Sequence, residues 1–114
     1  MHRSIRIFLV GALLIGYLHN ASATNEDQQA FLIAKQNACL GCHADNKKIV
    51  GPSFQSVAQK YKNDPRAQTF LKNKITKGGA GSWGVVPMPA NSKLRDADLS
   101  LLTSWILRGA PNEN

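Results

Sequence analysis

The sequence predicts an all-α fold, about four short helices wrapped around one covalently bound group. Three observations lead there. Apolar residues recur at helical spacing in four separate segments, and no strand pattern precedes Cys39. Gly and Pro punctuate the chain between those segments, at Gly51-Pro52, Asn63-Asp64-Pro65, Gly78-Gly79 and Gly109 with Pro111. The run Cys39-Leu40-Gly41-Cys42-His43 has the C-x-x-C-H spacing of a c-type haem attachment site. Its two thiols add across the two vinyl groups of one haem, and the adjacent His is then held under the iron. Gly41, without a Cβ, lets the short loop turn close to the porphyrin edge.

The chain has 114 residues, enough for one domain. A chain this small buries a limited fraction of its surface, so a covalent haem supplies much of the core. Residues 1–23 read as a signal peptide. His2, Arg3 and Arg6 form a basic start, Ile7 to Leu18 is apolar, and Ala21-Ser22-Ala23 gives the cleavage pattern. A spanning helix needs about 20 apolar residues, so no stable membrane insertion is expected once that segment is removed. The mature domain is then 24–114, exported to the periplasm, where haem attachment takes place. Losing Arg3 and Arg6 reduces 14 basic residues to 12 against the same 7 acidic ones, a net charge of +5. That excess can steer encounter with an acidic partner or merely serve solubility. Lys72, Lys74 and Lys77 lack the interleaved aromatics of a single-strand binder, so no nucleic acid is expected.

The elements follow in order. The first helix is expected from Asn25 to about Ala38, capped by Thr24 or Asn25, with Glu26 and Asp27 at its positive end. Ala30, Phe31, Ala34 and Ala38 make its stripe, and the small alanines allow another helix to cross closely. Ala44 to Val50 reads as a loop. Ser53 caps a second helix through Tyr61, with Phe54, Val57, Ala58 and Tyr61 on one face. A third is expected to start with Asp64 as N-cap and Pro65 at its first position, and to run to about Lys77 with Ala67, Phe70, Leu71 and Ile75 inward. Residues 79–91 form a long loop, of the kind that is usually functional in a small domain. It is suited to covering the second face of the haem. The last helix runs from about Asp96, its expected cap, to Arg108. Gly109 takes the C′ position and Trp105 packs in the core against the first helix.

Two other readings of the pentapeptide compete. A redox dithiol should open a helix after a strand. Structural zinc usually takes four Cys or His ligands, and the mature chain offers only Cys39, Cys42 and His43. For a haem, the second axial ligand is usually Met or His. The mature chain has one His, already used, and one Met, Met88. Pro87 and Pro89 fix φ on either side of it and remove two N–H donors. Met is also an adaptable packing residue, but a Gly-rich polar loop is an odd place for packing alone.

With the pentapeptide, Gly51-Pro52, Pro87-Met88-Pro89 and a Trp-bearing final helix in this order, the chain resembles a class I cytochrome c, nearest the small bacterial cytochrome c551 group. The resemblance covers Thr24 to Arg108 and is most specific at the pentapeptide and at Trp83 to Asn91. It implies the small cytochrome c fold and one haem c per chain, attached through Cys39 and Cys42, with His43 and Met88 on the iron. It further implies that the Pro52 carbonyl accepts a hydrogen bond from His43 and that Trp83 donates to a haem propionate. Lys74 lies near a propionate where many relatives have Arg, a change that loses the bidentate fork. Asn91 lies near the Met88 sulfur.

The function so implied is that of a soluble, monomeric, single-haem electron carrier. It cycles between Fe(II) and Fe(III) and meets transient redox partners, with no catalytic acid or base to name. One alternative is a haem subunit or module of a larger periplasmic dehydrogenase or oxidase, which purification as a tight complex would reveal. Another is a five-coordinate haem that reacts with a gas or peroxide, which rapid carbon monoxide binding by the reduced protein would reveal.

Overall fold

The computed structural model describes residues 20–112. Four helices follow one another: α1 (Asn20–Gln36), α2 (Phe54–Lys60), α3 (Ala67–Lys77) and α4 (Asp96–Leu107). A 3₁₀ turn, Cys39–Gly41, lies between the first two. Among the described residues there is no strand, only isolated bridges at His43–Lys48 and Gly79–Met88. Residues 1–19 of the expected signal peptide lie outside the described residues. No helix among those described is long and apolar enough to cross a membrane.

The core is built on α4. Trp105 and Thr103 are fully buried and Leu102 nearly so. The Thr103 hydroxyl avoids a desolvation cost by donating to the Leu99 carbonyl at 2.7 Å. The expected close crossing is present: Ala30 and Ala34 of α1 have no exposed surface. Beside them Phe31 meets Trp105 edge-on, with centroids 6.4 Å apart and planes at 70°. From α2, Phe54 reaches the same indole at 5.3 Å. From α3, Leu71 and Ile75 complete the cluster. The Trp105 indole N–H donates to the Pro111 carbonyl at 3.1 Å and ties the chain end to the core.

Some helix ends fall where local chemistry puts them. The Ser53 side chain accepts from the Ser56 amide at 3.0 Å and caps α2. Beyond α4, Gly109 has φ 89°. Its amide bonds the Ile106 carbonyl, and the Ala110 amide bonds that of Trp105. This pair of bonds is a Schellman motif.

Elsewhere the expectation and the structure differ. α1 begins at Asn20, taking in Ala21-Ser22-Ala23, whose alanines are strong helix formers. It ends at Gln36, because Ala38 turns left-handed with φ 59° and is exposed. Asp64 and Pro65 form the turn before α3. The Asp64 carboxylate accepts from the Arg66 amide at 2.8 Å, two residues on, and the helix starts at Ala67. Asp96 is the first helical residue of α4 rather than its cap. Its carboxylate instead receives Lys72 from α3 at 2.9 Å. Phe70 lies outside the core, exposed and tilted against Tyr61 at 5.2 Å.

Candidate haem site

The pentapeptide begins just beyond the C-terminus of α1. The Cys42 and His43 amides both bond the Cys39 carbonyl, at 3.2 and 2.9 Å, so the segment folds back on itself. The next turn closes over it: the Gly51 amide bonds the Cys42 carbonyl at 2.8 Å. Pro52 then presents its carbonyl to His43 Nδ1 at 2.7 Å. A carbonyl only accepts, so Nδ1 carries the proton. Nε2 is left as the lone-pair nitrogen able to bind a metal. Two contacts fix the ring plane. Phe54 stacks on it at 5.4 Å and 19°. Gly51 lies against its edge so closely that a Cβ there would be 2.5 Å from Cε1.

Both cysteines are free and half-buried. Burial pushes the Cys39 thiol above its usual range, a backbone hydrogen bond opposes this, and Cys42 adds to it. A redox dithiol wants the reverse, a depressed pKa at a helix N-terminus. Here Cys39 follows the negative end of α1. Among the described residues no group of three or more His, Cys, Asp and Glu side chains could hold a metal ion. The zinc reading therefore gains no ligand set from the fold.

Met88 is carried by the loop from Gly78 to Asn91. Gly78 ends α3 with φ 68° and ψ −158°, a conformation open in practice only to glycine. A Cβ there would be 2.4 Å from the Met88 carbonyl. Gly79 and Met88 then exchange both backbone hydrogen bonds at 2.9 Å, pinning the far end of the loop to its start. At the exit the Asn91 amide bonds the Ile75 carbonyl at 2.8 Å. Ile75 lies in the last turn of α3, where carbonyls lack partners within the helix. Met88 is partly buried, packed against the core together with Cys39, Leu40, Tyr61 and Leu94.

The remaining expected site residues take these places. Trp83 is 43% exposed, with the Lys60 ammonium 4.4 Å above its ring and bonded to the Ser82 carbonyl. Lys74 lies over Phe70 at 5.8 Å, and its ammonium approaches Gly79. The Asn91 side chain donates to Asn37 Oδ1 at 3.3 Å. Sequence reasoning missed Asn37, Phe54 as a partner of His43, and Lys60. It noted Gly51 as punctuation and as part of the Gly51-Pro52 motif, not as a contact of the imidazole.

The residues present fit a haem: two half-buried thiols three residues apart, an adjoining imidazole held by Nδ1, and a partly buried thioether packed, like Cys39 and Leu40, against the core. The comparisons agree. The family model for cytochrome c matches residues 28–110. The chain is 39% identical over 100 residues to cytochrome c-552 of Nitrosomonas europaea, covering 88% of this chain and 89% of that one. It is 43% identical over 76 residues to cytochrome c-551 of Allochromatium vinosum, covering 67% and 81%. The crystal structure of wild-type Nitrosomonas europaea cytochrome c552 superposes with a TM-score of 0.66 at 42% identity, covering 69% of this chain and 98% of that one. The chain belongs to the cytochrome c family, as a class I c-type cytochrome close to the c551 group whose cofactor is covalently bound haem c.

Proposed function

We propose that this protein is a soluble, monomeric electron carrier of the periplasm, with haem c joined to Cys39 and Cys42 and the iron held between His43 and Met88. When bound, haem c supplies a one-electron Fe(II)/Fe(III) couple. The chain's part is to keep one ligand set through both states. The observation that carries this is the 2.7 Å bond from His43 Nδ1 to Pro52. It commits the ring to one tautomer and leaves Nε2 for the iron. On the other side, Pro87, Pro89 and the paired bonds of Gly79 with Met88 fix the thioether-bearing backbone. His/Met ligation favours the reduced state and raises the potential.

Trp83 and Lys74 serve the propionates, and Asn91 serves the Met88 sulfur. Redox partners dock transiently beside the pentapeptide. There Lys47 and Lys48 are exposed, and Ile49 and Val50 are 48% and 51% exposed. A basic, partly apolar patch of this kind suits a small, acidic and short-lived interface. Such a carrier performs no catalysis of its own. The test is the visible spectrum of the pure oxidised protein, which should show the methionine-to-iron band and lose it in Met88→Ala. Absence of the band from the wild type, or a Met88→Ala spectrum like the wild type, refutes the ligand assignment.

A further inference from the structure

We propose that Asn37 is a positioning residue for the iron site. It holds Asn91, and with it the loop carrying Met88, to the end of the helix that leads into the haem-attachment segment. The inference rests on the reading of Met88 as a ligand.

Asn37 stands two residues before Cys39, and Asn91 three residues after Met88. They are 54 residues apart in sequence, yet Asn91 Nδ2 donates to Asn37 Oδ1 at 3.3 Å. The acceptor is itself fixed. Asn37 Nδ2 donates at 2.8 Å to the Ile33 carbonyl, which also accepts the Asn37 backbone amide at 3.1 Å. That bond leaves Oδ1 as the free end of the amide. The donor is fixed as well, because the Asn91 backbone is held by Ile75 of α3 at 2.8 Å. One chain of hydrogen bonds therefore runs from α1 through Asn37 and Asn91 to α3. Both asparagines are partly buried, so water competes poorly for these groups.

The asparagine amide has two N–H groups and one oxygen. The bond to Asn37 uses one N–H, and the other remains for the Met88 side. Without Asn37, Asn91 can rotate, and the segment after Met88 keeps only its backbone bond to Ile75. The iron–thioether bond then yields more readily to an outside ligand.

Two substitutions separate this role from helix capping. Asn37→Ser keeps a hydroxyl able to bond the carbonyl four residues back but is too short to reach Asn91. Asn37→Asp keeps the acceptor for Asn91 and loses the donor to Ile33. The experiment titrates ferric holoprotein with imidazole and follows loss of the methionine-to-iron band. One hydrogen bond predicts that Asn37→Ser binds imidazole about fivefold more tightly than wild type, and Asn37→Asp within about twofold of it. Asn37→Ala replaces Asn37→Ser if the latter does not accumulate as holoprotein. Because Asn37 acts through Asn91, adding Asn37→Ser to Asn91→Ala should produce no further tightening. Asp27→Asn, which breaks a distant ion pair with Arg108, should lower the unfolding temperature and leave imidazole affinity unchanged. Wild-type affinity in Asn37→Ser, or full additivity with Asn91→Ala, overturns the proposal alone. A wild-type spectrum without the band overturns the ligand reading and this proposal with it.

Discussion

Gly51→Ala is the sharpest probe of how the imidazole is held. A Cβ at position 51 would sit 2.5 Å from His43 Cε1, 2.9 Å from Nδ1 and 3.1 Å from Nε2, against ordinary contacts of 3.4–4 Å. Relief requires a relative shift of roughly 1 Å, within the steep part of the repulsive wall. The ring cannot simply turn away, because Phe54 lies on its face and Pro52 holds Nδ1. Either the Pro52 bond lengthens or the backbone of residues 50–52 moves. Overpacking costs about 1–3 kcal/mol and the strained hydrogen bond about 1 kcal/mol more. For a domain of this size that total lowers Tm by about 10–20 °C. The assay is thermal unfolding of the holoprotein with its visible spectrum, with Asn46→Ala as control. Asn46 lies in the loop between His43 and Gly51 and is exposed. Its Tm should stay within about 3 °C of wild type, since a surface change away from special features is nearly neutral. A Gly51→Ala protein as stable as Asn46→Ala would refute the reasoning.

Gly78→Ala meets the Met88 carbonyl at 2.4 Å and the Ala90 amide at 2.7 Å, both backbone atoms, at φ 68°. It should cost about 2–4 kcal/mol and remove the methionine-to-iron band at a lower temperature than wild type, measured by variable-temperature spectroscopy. Ala38→Gly acts in the opposite direction. Exposed Ala38 sits at φ 59°, so glycine should stabilise by about 0.5–1 kcal/mol after its own entropy cost, read by denaturant unfolding. Trp105→Ala removes the fully buried indole that Phe31 and Phe54 pack against. A loss of about 3–5 kcal/mol is expected, with little or no holoprotein recovered at 37 °C.

The readable parts of this sequence were those governed by local or covalent chemistry. Two thiols must be three residues apart to meet two vinyl groups, and His43 must follow, so the pentapeptide is visible in five letters. Met88 became the proposed second ligand by counting side chains that can bind iron. Ser53 and Gly109 mark helix ends through contacts within three to five residues, and both were legible. Asp96 was misread because two cations compete for the carboxylates of the first turn of α4. Lys72 takes Asp96 and Arg95 takes Asp98. Ala38 was misread because its spacing fits the α1 stripe while its backbone closes the helix. The contact of Gly51 with the imidazole, the Asn37–Asn91 bond and the Lys60–Trp83 stack join residues distant in sequence or depend on ring orientation. No local pattern reports them.

The two halves of the site are anchored separately. His43 is held by its own downstream neighbours, Gly51, Pro52 and Phe54, all within eleven residues of it. Met88 is held by the end of α3, through Gly78, Gly79 and the Ile75 carbonyl. Neither set of contacts includes a residue of the other. Local anchoring of this kind makes each proposed ligand insensitive to small errors in the opposite half. It also leaves the spacing between the halves to be fixed elsewhere. The α1–α4 crossing at Ala30, Ala34 and Trp105 fixes the gross frame. The Asn37–Asn91 bond links the segment entering the pentapeptide directly with the segment leaving Met88. An electron carrier benefits from holding both ligands still while its charge changes by one, since any ligand movement adds to the energy of reorganisation at each transfer. On that argument the weak, partly buried amide pair matters more to the site than its contribution to global stability suggests.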